Sequence, residues 1–154
     1  MKKNETIIVA KGAIAAVLEE IGYDVSEIDG YIYGISKNED APDLLIYATG
    51  RRLSEKNEIE SSSTLVSQGA IDKLKIRAEK RAGNVVPCLA YVVCKWSYYD
   101  YEVMIAPVDA MEAYAVKGGV YAQTDKGLWY NFKKAGDGVP PEAIARVVFT
   151  GKSM

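Results

Sequence analysis

The stretch Pro42–Ser63, PDLLIYATGRRLSEKNEIESSS, decides how this chain reads. Asp43 opens an apolar run, Leu44 to Tyr47, of strand composition, and Thr49, Gly50, Arg51 and Arg52 read as the turn that follows it. The returning segment ends in Glu58, Ile59 and Glu60, where strand alternation sets Ile59 on one face and both glutamates on the other. With Asp43 pointing the same way, three carboxylates converge. Two unit charges about 5 Å apart repel by roughly 3 kcal/mol at an effective dielectric near 20, so such a cluster calls for a proton or a cation. The chain has no histidine and its two cysteines lie far downstream, which leaves a hard divalent cation, Mg²⁺ or Mn²⁺, as the natural partner. The alternative is a solvated edge-strand face, to which acids beside Ser and Lys are equally suited.

Composition sets the outer bounds. A chain of 154 residues with 49% hydrophobic and 26% charged residues suits one domain, 1–154, with a substantial core. The formal net charge of −2 gives no general attraction to nucleic acid or anionic membrane, so any such contact requires a local basic patch. The apolar run Ile7–Ala10 is too short for a signal segment or a membrane span, and the chain reads as cytoplasmic. Cys88 and Cys94 fall on one expected strand, roughly 20 Å apart if it is regular, and are read as buried, reduced residues rather than a disulfide.

Outward from the acidic stretch, helical spacing runs from about Asn4 to Ile21, with Asn4 or Thr6 as N-cap and Gly22 as C-cap. Ile28–Ser36 reads as one strand, followed by the Asp43 strand and the Glu58–Glu60 strand as an antiparallel meander. A second helix, about Thr64 to Ala82, buries Ala70, Ile71, Leu74, Ala78 and Ala82 and carries Lys73, Lys75, Arg77, Lys80 and Arg81 on its other sides. Val85–Val93 reads as a central strand buried on both faces, pairing only after Pro87. Further elements are a strand over Tyr101–Val108, a short helix over Asp109–Val116, a hairpin VYAQT–DKG–LWYNF, a short helix opened by Pro140 and Pro141, and a final strand over Arg146–Thr150 beside the hairpin.

Helix, three strands, helix, strand, with acids at Asp43, Glu58 and Glu60, resembles the PD-(D/E)xK superfamily of restriction-endonuclease-like nucleases over about residues 5 to 95. The resemblance implies an α/β fold with a restriction-endonuclease-like core and here a C-terminal αβ extension and hairpin. It also implies an acid from the first helix, Glu19 or Glu20, an aspartate from the second strand, Asp43, and an acidic triplet from the third, Glu58-Ile59-Glu60. The family lysine is absent: Glu60 stands in its place, with Lys73 or Lys75 as substitutes from the following helix. Gln68 resembles a glutamine that several of these nucleases place near the metal.

On this reading Asp43, Glu58 and Glu20 hold Mg²⁺ or Mn²⁺, Glu60 is a further ligand or the base for a water, and Gln68 completes the catalytic group. DNA is the expected partner, met by Arg51, Arg52, Lys73, Lys75 and Arg77, against a solvated and dipole-favoured helix face as the alternative for the helical cations. A second function class stays open, a catalytically silent domain of the same fold that binds protein or nucleic acid, as a homodimer through its aromatic strands. The aromatic segments WSYYDY and LWYNF suit either base stacking or half-buried and interface positions.

Overall fold

Asp29 and Gly30 turn the chain inside what the sequence reading takes as one strand. Their φ values are 52° and 84°, and a two-residue Asp-Gly loop with both residues left-handed is the type I′ hairpin turn. In this computed structural model, which describes residues 3–52, 63–81, 83–94, 100–115, 121–131 and 143–150, the turn separates β1 (Tyr23–Ile28) from β2 (Tyr31–Ser36). The Asp43 strand, β3 (Asp43–Arg52), is therefore third in the meander and not second. Its neighbours are β2 and β5, so no Glu58–Glu60 strand lies beside it in the sheet, and Thr49–Arg52, expected as a turn, continue the strand; Glu58–Glu60 themselves lie outside the described residues.

The first helix, α1 (Lys3–Glu20), ends before Gly22, whose φ of +105° suits the residue that closes a helix. Asn4 and Thr6, expected as caps, lie inside it. Ala10, Ala13, Ile14, Val17 and Leu18 fall at three- and four-residue steps and are buried, whereas Ile8 projects from another side and is exposed. The helix packs against β3 at Gly50, where a β-carbon would come within 2.9 Å of Ala10 Cβ and 3.1 Å of Thr6 O. A larger residue would push the two elements apart.

β3 pairs antiparallel with β2 and parallel with β5 (Val85–Cys94), from Asp43 opposite Val85 to Arg52 opposite Cys94. A parallel pair needs a crossover, and α2 (Gln68–Glu79) supplies it. The expected helix start is corrected. Ser63–Ser67 forms a strand, β4, and Ser67 caps α2 by accepting from Ala70 N at 3.2 Å. The β-prone Thr64, Leu65 and Val66 pair with a later strand, which overrides helical spacing in that turn.

Beyond β5 come β6 (Asp100–Pro107), α3 (Val108–Tyr114), β7 (Tyr121–Thr124), β8 (Gly127–Asn131) and β9 (Ala145–Thr150). The main sheet has the order β1-β2-β3-β5-β6-β9, and a smaller sheet runs β4-β8-β7. The hairpin is thus present, but β9 pairs with β6 rather than with it. Pro87 interrupts one ladder only: pairing with β6 begins at Cys88, while pairing with β3 already runs through Pro87. The expected proline-opened helix at Pro140 and Pro141 lies outside the described residues.

Two cores flank the main sheet. On one face Leu44, Ile46, Cys88, Ala90 and Val92 meet α1; on the other Leu45, Leu89 and Tyr91 meet Ile71, Leu74 and Ala78 of α2. The central strand β5 is buried on both sides, as its continuous apolar run requires. Both cysteines are free and buried, and burial pushes the Cys88 thiol up to about 12 and Cys94 to about 11. Tyr130, for which base stacking and a half-buried or interface position were the alternatives, lies in the core: its ring is 5.1 Å from that of Tyr91 and its hydroxyl donates to Glu102 Oε1 at 3.0 Å. Among the described residues no helix is long and apolar enough to cross a membrane.

Candidate functional site

Asp43 begins β3 at the end of the sheet where α1 and α2 both finish. Its amide donates to Asn84 O at 3.0 Å, and Asn84 belongs to the connection that follows α2. Its side chain is held from the neighbouring strand. The Tyr33 hydroxyl donates to Oδ2 at 3.0 Å and the Ser36 amide donates to Oδ1 at 3.0 Å. The antiparallel register explains this, because Tyr33 pairs with Leu45, which places Tyr33 and Asp43 diagonally on one face of the sheet.

The ring of Tyr33 carries a cation. Arg81 Cζ lies 4.3 Å from its centroid, within the range of an attractive cation–π contact. Arg81 Nε is buried and has no hydrogen-bond partner among the described residues. Tyr23, at the start of β1, sits close enough to feel Asp43: its phenol is held above the usual tyrosine range, first by burial, with Cys88 and the Asp43 carboxylate acting in the same direction. A neutral phenol therefore borders the carboxylate at physiological pH.

The other expected site residues divide between the two ends of the sheet. Glu20 is the exposed last residue of α1, at the same end as Asp43, since Gly22 O accepts from Lys37 N just beyond Ser36. Gln68 is at the opposite end. It opens α2, which runs back antiparallel to β3 for 12 residues, roughly 18 Å of helix, before ending beside Asp43. Its side-chain amide is engaged locally, Nε2 donating to Asp72 Oδ1 at 2.9 Å, and the described structure does not bring it to Asp43. Glu58 and Glu60 lie outside the described residues. Among the described residues no three acidic or cysteine side chains come together as a metal site.

The basic residues separate in the same way. Lys75 pairs with Glu112 at 2.8 Å and Arg77 with Asp29 at 2.7 Å, so both are bound up in contacts between elements. The hydrogen bond to Glu112 and nearby acids hold the Lys75 ammonium above the usual lysine range, against the opposing effect of burial. Lys73 is exposed, and Arg51 and Arg52 close β3 at the end away from Asp43. A cavity of about 790 Å³ also lies towards that end, lined by Lys11, Tyr47, Thr49, Gly50, Thr64 and Leu65 among others. Asp43 is not part of its wall.

Tyr33, Ser36 and Arg81 are the neighbours that sequence reading missed. The Asp29-Gly30 turn was the available signal for the first two, since it fixes where β2 begins and hence its register against β3. Nothing local marks Arg81.

The helix, meander, crossover helix and parallel strand can be compared with solved structures. Hjc, a Holliday junction resolvase from the archaeal hyperthermophile Archaeoglobus fulgidus, matches with a TM-score of 0.52 over 88% of this chain and 91% of that one, at 11% sequence identity. The fold is restriction-endonuclease-like. This restriction-endonuclease-like chain is matched by no family model and by no curated protein sequence. The likeness lies in how the elements are arranged and connected, since so few residues are shared.

Proposed function

We propose that this chain hydrolyses DNA phosphodiester bonds in a divalent-metal-dependent reaction, with Asp43, Glu58 and Glu60 as the acids that define the site. The observation that carries the proposal is the fold, similar over 88% of the chain to that of a Holliday junction resolvase. The fixed carboxylate of Asp43 adds support. It accepts one hydrogen bond on each oxygen, and a carboxylate oxygen has about two acceptor positions, so Asp43 keeps capacity for a hard cation. Asp43 fits Mg²⁺ or Mn²⁺ as one ligand, and Glu58 and Glu60, with Glu20 at the same end as Asp43, are the further acids the proposal requires.

A bound Mg²⁺ or Mn²⁺ would lower the pKa of its water and offset charge developing on the scissile phosphate. The residues of the chain do the rest. Tyr33 and Ser36 orient Asp43, Glu60 holds or takes a proton from the attacking water, and Arg51, Arg52 and Lys73 meet DNA phosphates. Lys75 and Arg77 are further phosphate contacts, made as their pairs with Glu112 and Asp29 open.

A second reading, a catalytically silent domain that binds DNA or protein as a homodimer, is favoured by one observation. Both oxygens of Asp43 are already hydrogen-bonded within the chain, as a purely structural aspartate's would be. Calorimetric titration with Mn²⁺ and Mg²⁺, beside Asp43→Ala and Glu60→Ala variants of matched fold content, separates the two. Binding that both substitutions abolish, together with metal-dependent cutting of a four-way DNA junction, supports the nuclease. Junction binding without cutting, unchanged in both variants, supports the silent domain, and sedimentation then tests the dimer.

A further inference from the structure

We propose that Arg81 is a positioning residue for Asp43, acting through Tyr33. Three contacts in series carry this inference. The Arg81 guanidinium lies 4.3 Å from the Tyr33 ring centroid, the Tyr33 hydroxyl donates to Asp43 Oδ2 at 3.0 Å, and the Ser36 amide closes on Oδ1 at 3.0 Å. The stretch after α2 grips the backbone too, because Asn84 O accepts from the Asp43 amide. One short connection therefore sets both the main chain and the side chain of Asp43.

The state of Arg81 itself argues that the ring contact holds it. Its Nε–H is buried without an acceptor among the described residues. Arg77, one turn earlier, has taken the carboxylate of Asp29, which also borders the small cavity beside Arg81. What the Arg81 guanidinium does meet is the negative face of an aromatic ring, at the end of a helix whose dipole favours a cation. A phenol ring pinned in this way presents its hydroxyl to Asp43 in one orientation. Partners that orient a metal-holding carboxylate in this manner change affinity by about 10- to 100-fold when removed. The functional consequence rests on the reading of Asp43 as a metal-holding acid; the positioning itself does not.

The test uses Arg81→Met, which keeps a long apolar stem without charge or plane, Arg81→Lys, which keeps the charge alone, and Tyr33→Phe, singly and combined with Arg81→Met. The first measurement is amide hydrogen exchange at Ser36 without metal, which reports whether Asp43 Oδ1 stays in place. Arg81→Met and Tyr33→Phe should each speed this exchange several-fold, Arg81→Lys less, and Arg81→Met should add nothing once Tyr33 is Phe. That non-additivity distinguishes action through Tyr33 from a general loosening. The second measurement is Mn²⁺ affinity, expected to fall about tenfold in Arg81→Met and to be indifferent to Arg81 in the Tyr33→Phe background. Ser36 exchange that is unchanged in Arg81→Met, or effects of the two substitutions that simply add, would overturn the proposal. Coupled exchange effects in a wild-type chain that binds no Mn²⁺ would uphold the positioning and remove the metal reading alone.

Discussion

Tyr33 and Asp43 are joined across two strands by a 3.0 Å hydrogen bond from phenol to carboxylate, in the part-buried end of the sheet. A bond to a charged acceptor contributes more than a neutral one. Tyr33→Phe keeps the ring against Arg81 and deletes only the donor, so its expected cost is about 1.5 kcal/mol. Urea denaturation at pH 7 measures it, with an unchanged slope as the sign that only stability moved.

Gly50 sets how closely α1 approaches β3. A methyl group there meets Ala10 Cβ at 2.9 Å and the backbone oxygen of Thr6 at 3.1 Å, and neither the helix backbone nor a helical β-carbon can swing aside. Gly50→Ala is expected to lose about 1–3 kcal/mol and Gly50→Val more, read as a fall in the thermal midpoint.

Gln68 provides a negative control for the site. Its amide bonds to Asp72 on the exposed side of α2, roughly 18 Å of helix away from the end that meets Asp43. Gln68→Ala should therefore shift stability by no more than about 0.5 kcal/mol and leave Mn²⁺ affinity where it is in the unsubstituted chain. A large loss of affinity in this variant would return Gln68 to the metal's surroundings.

Alkaline pH should unfold the protein through its thiols. Burial raises Cys88 from 9.0 to about 12 and Cys94 from 9.0 to about 11, so the folded chain holds these protons more tightly than the unfolded chain does. A group raised in this way leaves its full contribution in place below its unfolded value and loses it as pH climbs towards the folded one. Stability is expected to be level in this respect up to about pH 9 and to fall between there and pH 12, with the raised Lys75 adding in the same direction. Thiolate absorbance should appear near the ordinary cysteine range in urea and only well above it in the native protein.

What the sequence determined by itself was most of the elements and the class of fold they make. The buried stripe of α1, the twice-buried β5 and the hairpin of β7 and β8 each follow from a local pattern of apolar spacing and turn residues, which tertiary contacts then reinforced. Where a local signal was passed over, as at Asp29-Gly30, the strand count moved by one and Asp43 with it. The tertiary structure decided what lies beside what. Ser63–Ser67 is strand because β8 is there to pair with it, and β9 joins β6 although the hairpin is nearer in sequence. Gln68 and Asp43, 25 positions apart by subtraction of their numbers, are separated because the crossover helix starts at Gln68 and only its other end returns to where Asp43 begins. Arg81 reaches Tyr33 for the same reason, since that crossover brings the end of α2 back to where Asp43 begins. Long-range pairing is a property of the whole chain's packing, which no window of sequence encodes alone.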